Sequence, residues 1–326
     1  MNRETLLNAA LTLFLLALPF AAVSLDEPFY VTLATRMAIL ALAASGLNLA
    51  LGFGGLVSFG HAAFFGIGGY AAGILANHAY NADPLLTWPL TVPGSDQMPV
   101  IWLAAAVVGG LVALPIGIIS LRTSGVYFIM ITLAFAQMIY YFTISWPSYG
   151  GADGLSIPIR NSFPGLNTAA PTSFFLICYG LLLAAQLLIW RMRDSRFGAA
   201  LQAARQNEAR VAAVGIGPLR IRLVAFTLSA MITAIAGALF ADLTRFVSPS
   251  MISWQMSGEL IVLIILGGAG RLFGPVAGAI VFVFLEYKLG GLTDRWQFFL
   301  GLILLGVVLF ARGGVVGLIA GKPRHG

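Results

Sequence analysis

Long apolar segments of about 20 residues, separated by short polar stretches, repeat along the whole chain. A bilayer core of roughly 30 Å needs about 20 apolar helical residues, so segments of this length can cross a membrane. The stretch 259–287 is too long for one crossing and is interrupted at 267–275, which predicts two short helices that meet at Arg271. The pattern predicts about ten transmembrane helices, and the other eight are 5–24, 30–52, a third segment ending near Asn77, 100–121, 126–146, 174–190, 223–242 and 296–310.

The first apolar segment, 5–24, has the length of a membrane span and also some features of a signal peptide. Glu4 stands beside Arg3 in the short segment before it, and residues 21–24 are only loosely like a cleavage site. These features favour a retained first helix.

The composition indicates whether the chain is a soluble protein or a membrane protein. Hydrophobic residues make up 59% and charged residues 9%, with a mean hydropathy of +0.93, which is more apolar than a soluble core of this size requires. The sequence therefore predicts an all-α polytopic membrane protein with a single transmembrane domain over 1–326. Its net charge of +6 comes mainly from arginines in one loop and does not require a nucleic-acid partner. The single cysteine, Cys178, lies in an apolar run and has no second cysteine for an intrachain disulfide.

The longest polar interruption runs from 191 to 222, and we call it the basic loop. It contains seven of the 18 Lys and Arg, opposed only by Asp194 and Glu208. Because positive residues concentrate in cytoplasmic loops, it is expected in the cytoplasm, with 78–99 and 147–170 outside and both termini inside. This orientation places 13 of the 18 Lys and Arg inside, namely Arg3, Arg122, the seven of the basic loop, Arg271, Arg312, Lys322 and Arg324.

Within the basic loop, residues 198–214 favour one short amphiphilic helix. They are rich in good helix formers, and Gly215 follows as a natural helix stop. Several alanines along this helix would allow another protein to approach closely. The simpler alternative is a helix that only anchors the loop to the membrane surface.

Two glycine-rich interruptions resemble each other. The first hairpin, LGFGGLVSFG at 51–60, and the second hairpin, LGGAGRLFGP at 266–275, are both expected to turn on the cytoplasmic side. Interrupted helices in corresponding positions of two halves can border a transport route, although so short a match also arises by chance. The pairs Gly69/Gly73 and Gly274/Gly278 are better explained as helix-packing contacts.

Catalytic and nucleotide-binding motifs do not emerge from the sequence. The tail Gly321-Lys322-Pro323 is not a Walker loop, so no ATP and no other cofactor is expected on this chain. The three histidines lack metal-ligand spacing, so no metal is expected either. His61 is predicted to be a neutral histidine satisfied by the backbone of a neighbouring helix, in preference to a substrate contact.

Charged residues in the apolar segments are expected near helix ends, and Arg36 is expected to reach outward to the interface. The deeper polar residues are neutral, which suits a neutral or zwitterionic solute, although hydrogen bonding between helices explains each of them more simply. Candidate residues of a substrate route are Asn48, Ser58, Gly60, His61, Gln137 and Gly268.

Three stretches carry a resemblance to a known family: GLNLALGFGGLVSFGHAAFFGIGGYAAG at 46–73, RFGAALQAARQNEARVAAVGI at 196–216 with the span that follows, and LIILGGAGRLFGPVAGAIV at 263–281. Together they resemble the branched-chain amino-acid ABC transporter permeases of the LivM type over nearly the whole chain. The resemblance implies a bacterial inner-membrane subunit that pairs with a second permease, two cytoplasmic ATPases and a periplasmic amino-acid-binding protein.

The same resemblance assigns ATPase coupling to the basic loop. Residues 206–215 are similar to the permease coupling motif, with Glu208, Ala209 and Gly215 as the matching positions. Arg210 replaces the second Ala of the motif, and the interval from Glu208 to Gly215 is one residue longer than in the strict form. Glu208 is expected to pair with a basic group on the ATPase or, alternatively, with Arg205 three residues earlier in the same helix.

Other functions stay open on the sequence alone. Urea and amide permeases share the same hairpins, so another small neutral solute is an alternative substrate. A secondary transporter or channel would need coupling carboxylates or a charged filter, and an intramembrane enzyme would need a catalytic cluster. Because the sequence suggests neither, a transport subunit without enzymatic activity of its own is expected.

Overall fold

The computed structural model describes residues 3–86, 92–293, 295–310 and 313–320, and this part of the chain is mainly helical. Within it, thirteen α-helices follow one another: α1 Arg3–Ser24, α2 Pro28–Asn48, α3 His61–Asn81, α4 Met98–Ser120, α5 Val126–Ile144, α6 Pro171–Arg193, α7 Arg196–Gln206, α8 Glu208–Ala213, α9 Pro218–Thr244, α10 Trp254–Gly267, α11 Gly274–Gly290, α12 Trp296–Phe310 and α13 Gly314–Ala320. A π-helix, Leu49–Phe53, continues α2.

Six helical segments in the described part are long and apolar enough to cross a membrane: Leu6–Ser24, Pro28–Phe53, Met98–Ser120, Val126–Ile144, Pro171–Arg193 and Pro218–Thr244. They support the polytopic membrane class. The remaining expected crossings correspond to α3, α10, α11 and α12, so each predicted segment coincides with a helix. The count of ten crossings and the positions of the termini stay predictions.

The expectation of a purely helical chain needs a small correction. Four short strands, β1 Pro84–Leu86, β2 Val92–Pro93, β3 Leu155–Ser156 and β4 Phe246–Val247, form the antiparallel pairs β1–β2 and β3–β4. They lie in the connections between helices, where backbone groups without helical partners bond to each other.

The β3–β4 pair and several hydrogen bonds bring the connections 78–99, 147–170 and 245–253 to one end of the molecule. Asn161 Nδ2 donates to Asp242 Oδ1 over 2.5 Å, which ties the 147–170 connection to the end of α9. His78 at the end of α3 bonds to the Tyr149 hydroxyl over 3.0 Å. Ser162 N donates to the Asp96 carbonyl oxygen. We call this end the loop end.

Helix α2 lies at the centre of the bundle. In an apolar stretch of 18 residues along this helix, 89% of the positions are buried inside the protein. In the corresponding stretches of α1 and α5, 17% and 22% are buried. It packs against α9, α6, α11, α10 and α1. Small residues along it allow close packing on all sides, including Ala38, Ala41 and Ala44, which are fully buried.

Two helices approach each other most closely where glycines lie at their contact. A Cβ at Gly68 of α3 would overlap the Ala234 carbonyl oxygen of α9, and a Cβ at Gly237 of α9 would overlap the Phe65 carbonyl oxygen of α3. Gly69 and Gly73 pack just as tightly, with hypothetical Cβ atoms 2.7 Å from Met251 Cε and 2.9 Å from Val247 Cγ2. Gly274 and Gly278 face main-chain atoms of α10 and of the turn that follows it. The interpretation as a helix-packing contact is therefore confirmed for Gly278, which faces α10, whereas Gly73 packs against side chains of β3 and β4.

The sequence did not predict α13. This helix packs against α10, α1 and α11, and a Cβ at Gly314 would lie 2.4 Å from the Gly268 nitrogen. The tail after Phe310 was expected only to carry basic residues, and Arg312, Lys322 and Arg324 lie outside the described residues, as do both chain ends.

Candidate functional site: a junction of the basic loop and two hairpins

The interrupted second hairpin is held by the side chain of Asn48, at the end of α2. Asn48 Nδ2 donates to the Arg271 carbonyl oxygen over 2.9 Å, and Gly270 N donates to Asn48 Oδ1 over 3.0 Å. The side chain is buried, with 1% exposure, so both halves of its amide are used within the protein. Asn48 therefore fastens the turn between α10 and α11 to the central helix, and its role in a substrate route stays a prediction.

The first hairpin begins in the π-helix that continues α2. Gly52 lies so close to the second hairpin that a Cβ would be 2.6 Å from Gly270 N and would overlap Asn48 Oδ1. Only glycine fits this position, because main-chain atoms close it off. The two hairpins that were paired by their similar sequences thus contact each other directly.

The basic loop reaches the same place through Arg205. This residue lies in the last turn of α7, and its Nη1 donates to the Gly52 carbonyl oxygen. Its aliphatic part covers Gly55, where a Cβ would lie 2.8 Å from Arg205 Cγ. Leu201 and Ala204 of α7 are buried and support this placement. Arg205, Gly52, Gly270 and Asn48 therefore form one junction of three chain segments, which we call the coupling junction.

The basic loop contains two helices, so the prediction of one helix over 198–214 is wrong. α7 ends at Gln206 and α8 starts at Glu208. Asn207 between them has extended backbone, with φ −160° and ψ 107°, and its Oδ1 accepts a hydrogen bond from Arg210 N over 3.0 Å. An asparagine that caps a new helix in this way ends the preceding one.

Glu208 pairs with Arg222 at the start of α9, so the expected alternative partner, Arg205, is wrong. Arg222 Nη2 also donates to the Ala204 carbonyl oxygen over 3.0 Å, which joins α7 to α9. The Glu208 side chain remains 50% exposed. A contact of Glu208 with an ATPase stays a prediction.

The remaining positions of the coupling motif lie on the surface. Ala209 is exposed in α8. Gly215 follows the end of this helix with φ +84°, and its N–H bonds to the Ala212 carbonyl oxygen. Since L-residues rarely adopt this conformation, the prediction of a helix stop at Gly215 is confirmed.

His61 is the first residue of α3 and is completely buried. Its Nε2 lies 2.8 Å from Ser229 Oγ, and that hydroxyl donates to the Gly46 carbonyl oxygen over 2.6 Å. Because the serine proton is used in that bond, His61 Nε2 is assigned as the donor to Ser229 Oγ. A neighbouring helix, α9, supplies the partner as expected, but the prediction of a backbone partner is wrong, because the group is the Ser229 side-chain hydroxyl. Phe64 and Phe226 enclose the ring edge-on, each at 5.5 Å.

The end of the first hairpin is held by serine and threonine hydroxyls. Ser58 Oγ accepts from Gly60 N over 3.1 Å, and Thr132 Oγ1 of α5 accepts from Phe59 N over 3.3 Å. Ser257 Oγ of α10 donates to the Phe59 carbonyl oxygen over 2.6 Å. The hairpin therefore connects α3, α5 and α10.

Two further candidates of the substrate route lie apart from these hydroxyls. Gly268 ends α10 with φ +120°, and a Cβ there would lie 2.5 Å from the Gly313 carbonyl oxygen. Gln137 is half-buried on α5, and none of the hydrogen bonds described above involves it. The structure thus brings Asn48 into the coupling junction and Ser58, Gly60 and His61 to the start of α3.

A metal or catalytic centre does not emerge from the part of the chain that the structure describes. In 3–86, 92–293, 295–310 and 313–320, no three His, Cys, Asp or Glu side chains are placed to share a metal ion. Cys178 is a buried free thiol. The polar groups described above serve contacts between helices and hairpins.

The fold defines a helical, multi-pass membrane protein whose connecting loop is attached to two interrupted hairpins. The family described as branched-chain amino acid transport system / permease component matches residues 29–310. The chain belongs to this family and is a multi-pass ABC transporter permease of the bacterial inner membrane.

Individual relatives agree with this assignment. The chain is 28% identical to the high-affinity branched-chain amino acid transport system permease protein LivM of Salmonella typhimurium strain LT2, over 93% of this chain and 74% of the relative. LivM of Escherichia coli strain K12 gives the same identity and coverage. The autoinducer 2 import system permease protein LsrC of Klebsiella pneumoniae is 29% identical over 50% of this chain and 49% of the relative. No solved structure matches the chain.

Proposed function

We propose that this chain is a membrane-spanning subunit of an ATP-driven importer for branched-chain amino acids. Membership of the permease family and the likeness to two LivM proteins over 93% of the chain support the substrate class. The observation that carries the mechanism is the bond from Arg205 to the Gly52 carbonyl oxygen, because it links the basic loop to the first hairpin.

In this mechanism the ATPase sits against the basic loop. ATP binds to partner subunits and to no site on this chain. Closure of the ATPases displaces α7 and α8, and Arg205 passes the displacement to Gly52. Asn48 fastens the second hairpin to the same helix end, so both hairpins move together. A movement shared by two interrupted hairpins is suited to opening and closing a route through the bundle.

The proposed orientation follows from charge. With the basic loop in the cytoplasm, the chain crosses the membrane ten times, both termini are cytoplasmic and the loop end faces the periplasm. A periplasmic binding protein delivers the amino acid at the loop end. A second, homologous permease completes the route, and two ATPases occupy the cytoplasmic side.

The solute proposed for this route is zwitterionic and apolar. The candidate route residues Asn48, Ser58 and Gln137 have no charge at neutral pH, and His61 was predicted to be neutral. A route with neutral polar groups carries a solute without net charge and does not fix a counter-ion.

Copurification and transport together test this proposal. A tagged chain, solubilised from its own bacterium in mild detergent, should retain a second permease and two ATPases. Proteoliposomes with this complex and its binding protein should take up leucine, isoleucine and valine only when ATP is enclosed on the ATPase side.

Different results would contradict different parts of the proposal. Uptake driven by a proton or sodium gradient without ATPases would indicate a secondary transporter. ATP-dependent uptake of urea or amides in place of leucine would leave the ABC mechanism intact and overturn the substrate class.

A further inference from the structure

An ion pair lies inside the bundle, near the loop end and away from the coupling junction. Arg36 Nη2 is 3.0 Å from Glu286 Oε1, and the two side chains are 33% and 20% exposed. Arg36 lies about two turns after the start of α2, and Glu286 about one turn before the end of α11. Arg36 was expected to reach outward to the interface, and its side chain pairs with Glu286 of α11 while remaining partly exposed. Ionisable side chains within apolar helices are costly, so the pair is a candidate functional site.

The ion pair borders a groove of about 350 Å³ between α2, α11 and the start of α12. Its walls combine the two charges with apolar side chains, and they include Phe29, Leu33, Arg36, Val283, Glu286 and Trp296. One carboxylate oxygen of the pair, Glu286 Oε2, is buried and accepts no hydrogen bond from the described residues. Glu286 lines the groove, and its carboxylate is not saturated with hydrogen bonds, so a ligand that supplies N–H donors complements this wall.

The surroundings of the groove are those of a membrane–water interface. The Phe29 and Tyr287 rings lie 5.3 Å apart, and Lys288 Nζ lies 5.7 Å from the centre of the Tyr287 ring. Aromatic residues concentrate at the level of lipid headgroups. Large apolar side chains are exposed next to the groove, with exposed fractions of 51% at Phe284 and 69% at Phe298. The groove therefore opens toward lipid acyl chains.

We propose that this groove binds a zwitterionic phospholipid whose headgroup carries a primary amine. The lipid ammonium donates hydrogen bonds to Glu286, and the phosphate accepts from the free N–H groups of Arg36 and from Lys288. One acyl chain lies along Leu33 and Val283. This site is independent of the proposed transport function.

Charge and hydrogen bonding select this headgroup over others. The described residues that line the groove include one positive and one negative side chain, Arg36 and Glu286, whose charges balance. A site without net charge favours a zwitterionic headgroup over an anionic one. A choline headgroup has no N–H donor for Glu286, so the amine lipid binds more tightly.

The test compares three lipids with identical acyl chains on the purified, delipidated protein. Native mass spectrometry counts the bound copies of phosphatidylethanolamine, phosphatidylcholine and phosphatidylglycerol. The ethanolamine lipid should bind about tenfold more tightly than the choline lipid, a difference of about 1.4 kcal/mol, because only its ammonium donates hydrogen bonds to Glu286. Glu286→Gln should remove this preference. Arg193→Gln, which breaks an exposed ion pair with Asp194 in the basic loop, should keep it.

A second variant tests the groove without breaking the ion pair. Gly290 lines the groove, and a Cβ there meets nothing within 4 Å, so the backbone tolerates a side chain and Gly290→Leu adds bulk at the groove. It should lower ethanolamine-lipid binding, whereas Gly180→Leu, at an equally open position on α6, should not. Equal binding of the ethanolamine and choline lipids by the unmodified protein would overturn the proposal. Tighter binding of phosphatidylglycerol than of phosphatidylethanolamine would also overturn it, and so would displacement of the bound lipid by free leucine. An unchanged preference for the ethanolamine lipid in both Glu286→Gln and Gly290→Leu would overturn it as well.

Discussion

The guanidinium group of Arg205 donates a hydrogen bond to the main-chain oxygen of Gly52, 153 positions earlier in the sequence. This bond connects the basic loop to the first hairpin, and a Cβ at Gly270 of the second hairpin would lie 3.2 Å from the same oxygen. The Gly52 oxygen therefore lies at the contact between α7 and both hairpins, and the proposed mechanism transmits the movement of α7 through this point. The predictions below test this junction, the packing that supports it and the orientation of the bundle.

Asn48 is predicted to stabilise the coupling junction. Asn48→Ala removes two hydrogen bonds and leaves Gly270 N and the Arg271 carbonyl oxygen without these partners. Each buried group left unsatisfied costs about 1–3 kcal/mol, so the melting temperature in detergent should fall clearly. Asn81→Ala removes an exposed bond to Asn77 and serves as the control. Equal melting temperatures for the two variants would show that Asn48 does not hold the second hairpin.

The crossing of α3 and α9 is predicted to require Gly68. In Gly68→Ala the new methyl group meets the Ala234 carbonyl oxygen, and the helices must separate. Overpacking of this kind costs about 1–3 kcal/mol. Gly180→Ala places the same methyl group in open space on α6 and should be neutral or slightly stabilising, because alanine favours helix. Thermal unfolding in detergent measures both. A Gly68→Ala protein as stable as Gly180→Ala would contradict the close crossing.

Cysteines introduced at the two ends of the bundle are predicted to react with maleimide from opposite sides of the membrane. Cys178 is buried, so the natural thiol should not react and a single added cysteine reports its own location. Asp153→Cys, at the loop end, should react with a membrane-impermeant maleimide in intact spheroplasts. Ala212→Cys, in the basic loop, should react only after the membrane is permeabilised. Labelling of Ala212→Cys in intact spheroplasts would reverse the proposed orientation.

The sequence predicted the course of the chain because hydrophobic patterning controls where helices lie in a membrane protein. Each predicted segment coincides with a helix, and the interruption of 259–287 is present as the turn between α10 and α11. The break at Asn207 was missed, although asparagine followed by Glu208 is a known helix-start signal. The alanines on either side of Asn207 have high helix propensities, and these favoured the prediction of one continuous helix.

The contacts of the coupling junction could not be predicted in the same way. The two hairpins were singled out by their glycines, but a local pattern does not reveal which distant segment they contact. Asn48 and Arg271 are more than 200 positions apart, and Arg205 has no sequence feature that selects Gly52 over other carbonyl groups. Likewise, the pairing of Arg36 with Glu286 depends on how α2 and α11 pack. Tertiary packing decides such contacts.

Coupling between ATP hydrolysis and transport is predicted to depend on the hydrogen bond from Arg205. Arg205→Met keeps much of the side-chain length over Gly55 and removes the donor to Gly52. A hydrogen bond from a charged group contributes about 1.5–3 kcal/mol, so substrate-stimulated ATP hydrolysis should fall about tenfold or more. Arg220→Met removes one exposed positive charge from the same loop and is the matched control.

The decisive measurement is leucine-stimulated ATP hydrolysis by the reconstituted complex, with subunit composition checked for each variant. The proposed mechanism predicts that Arg205→Met assembles with both ATPases yet loses most of the stimulation, while Arg220→Met behaves like the unmodified protein. Full stimulation in a correctly assembled Arg205→Met complex would contradict transmission through the coupling junction.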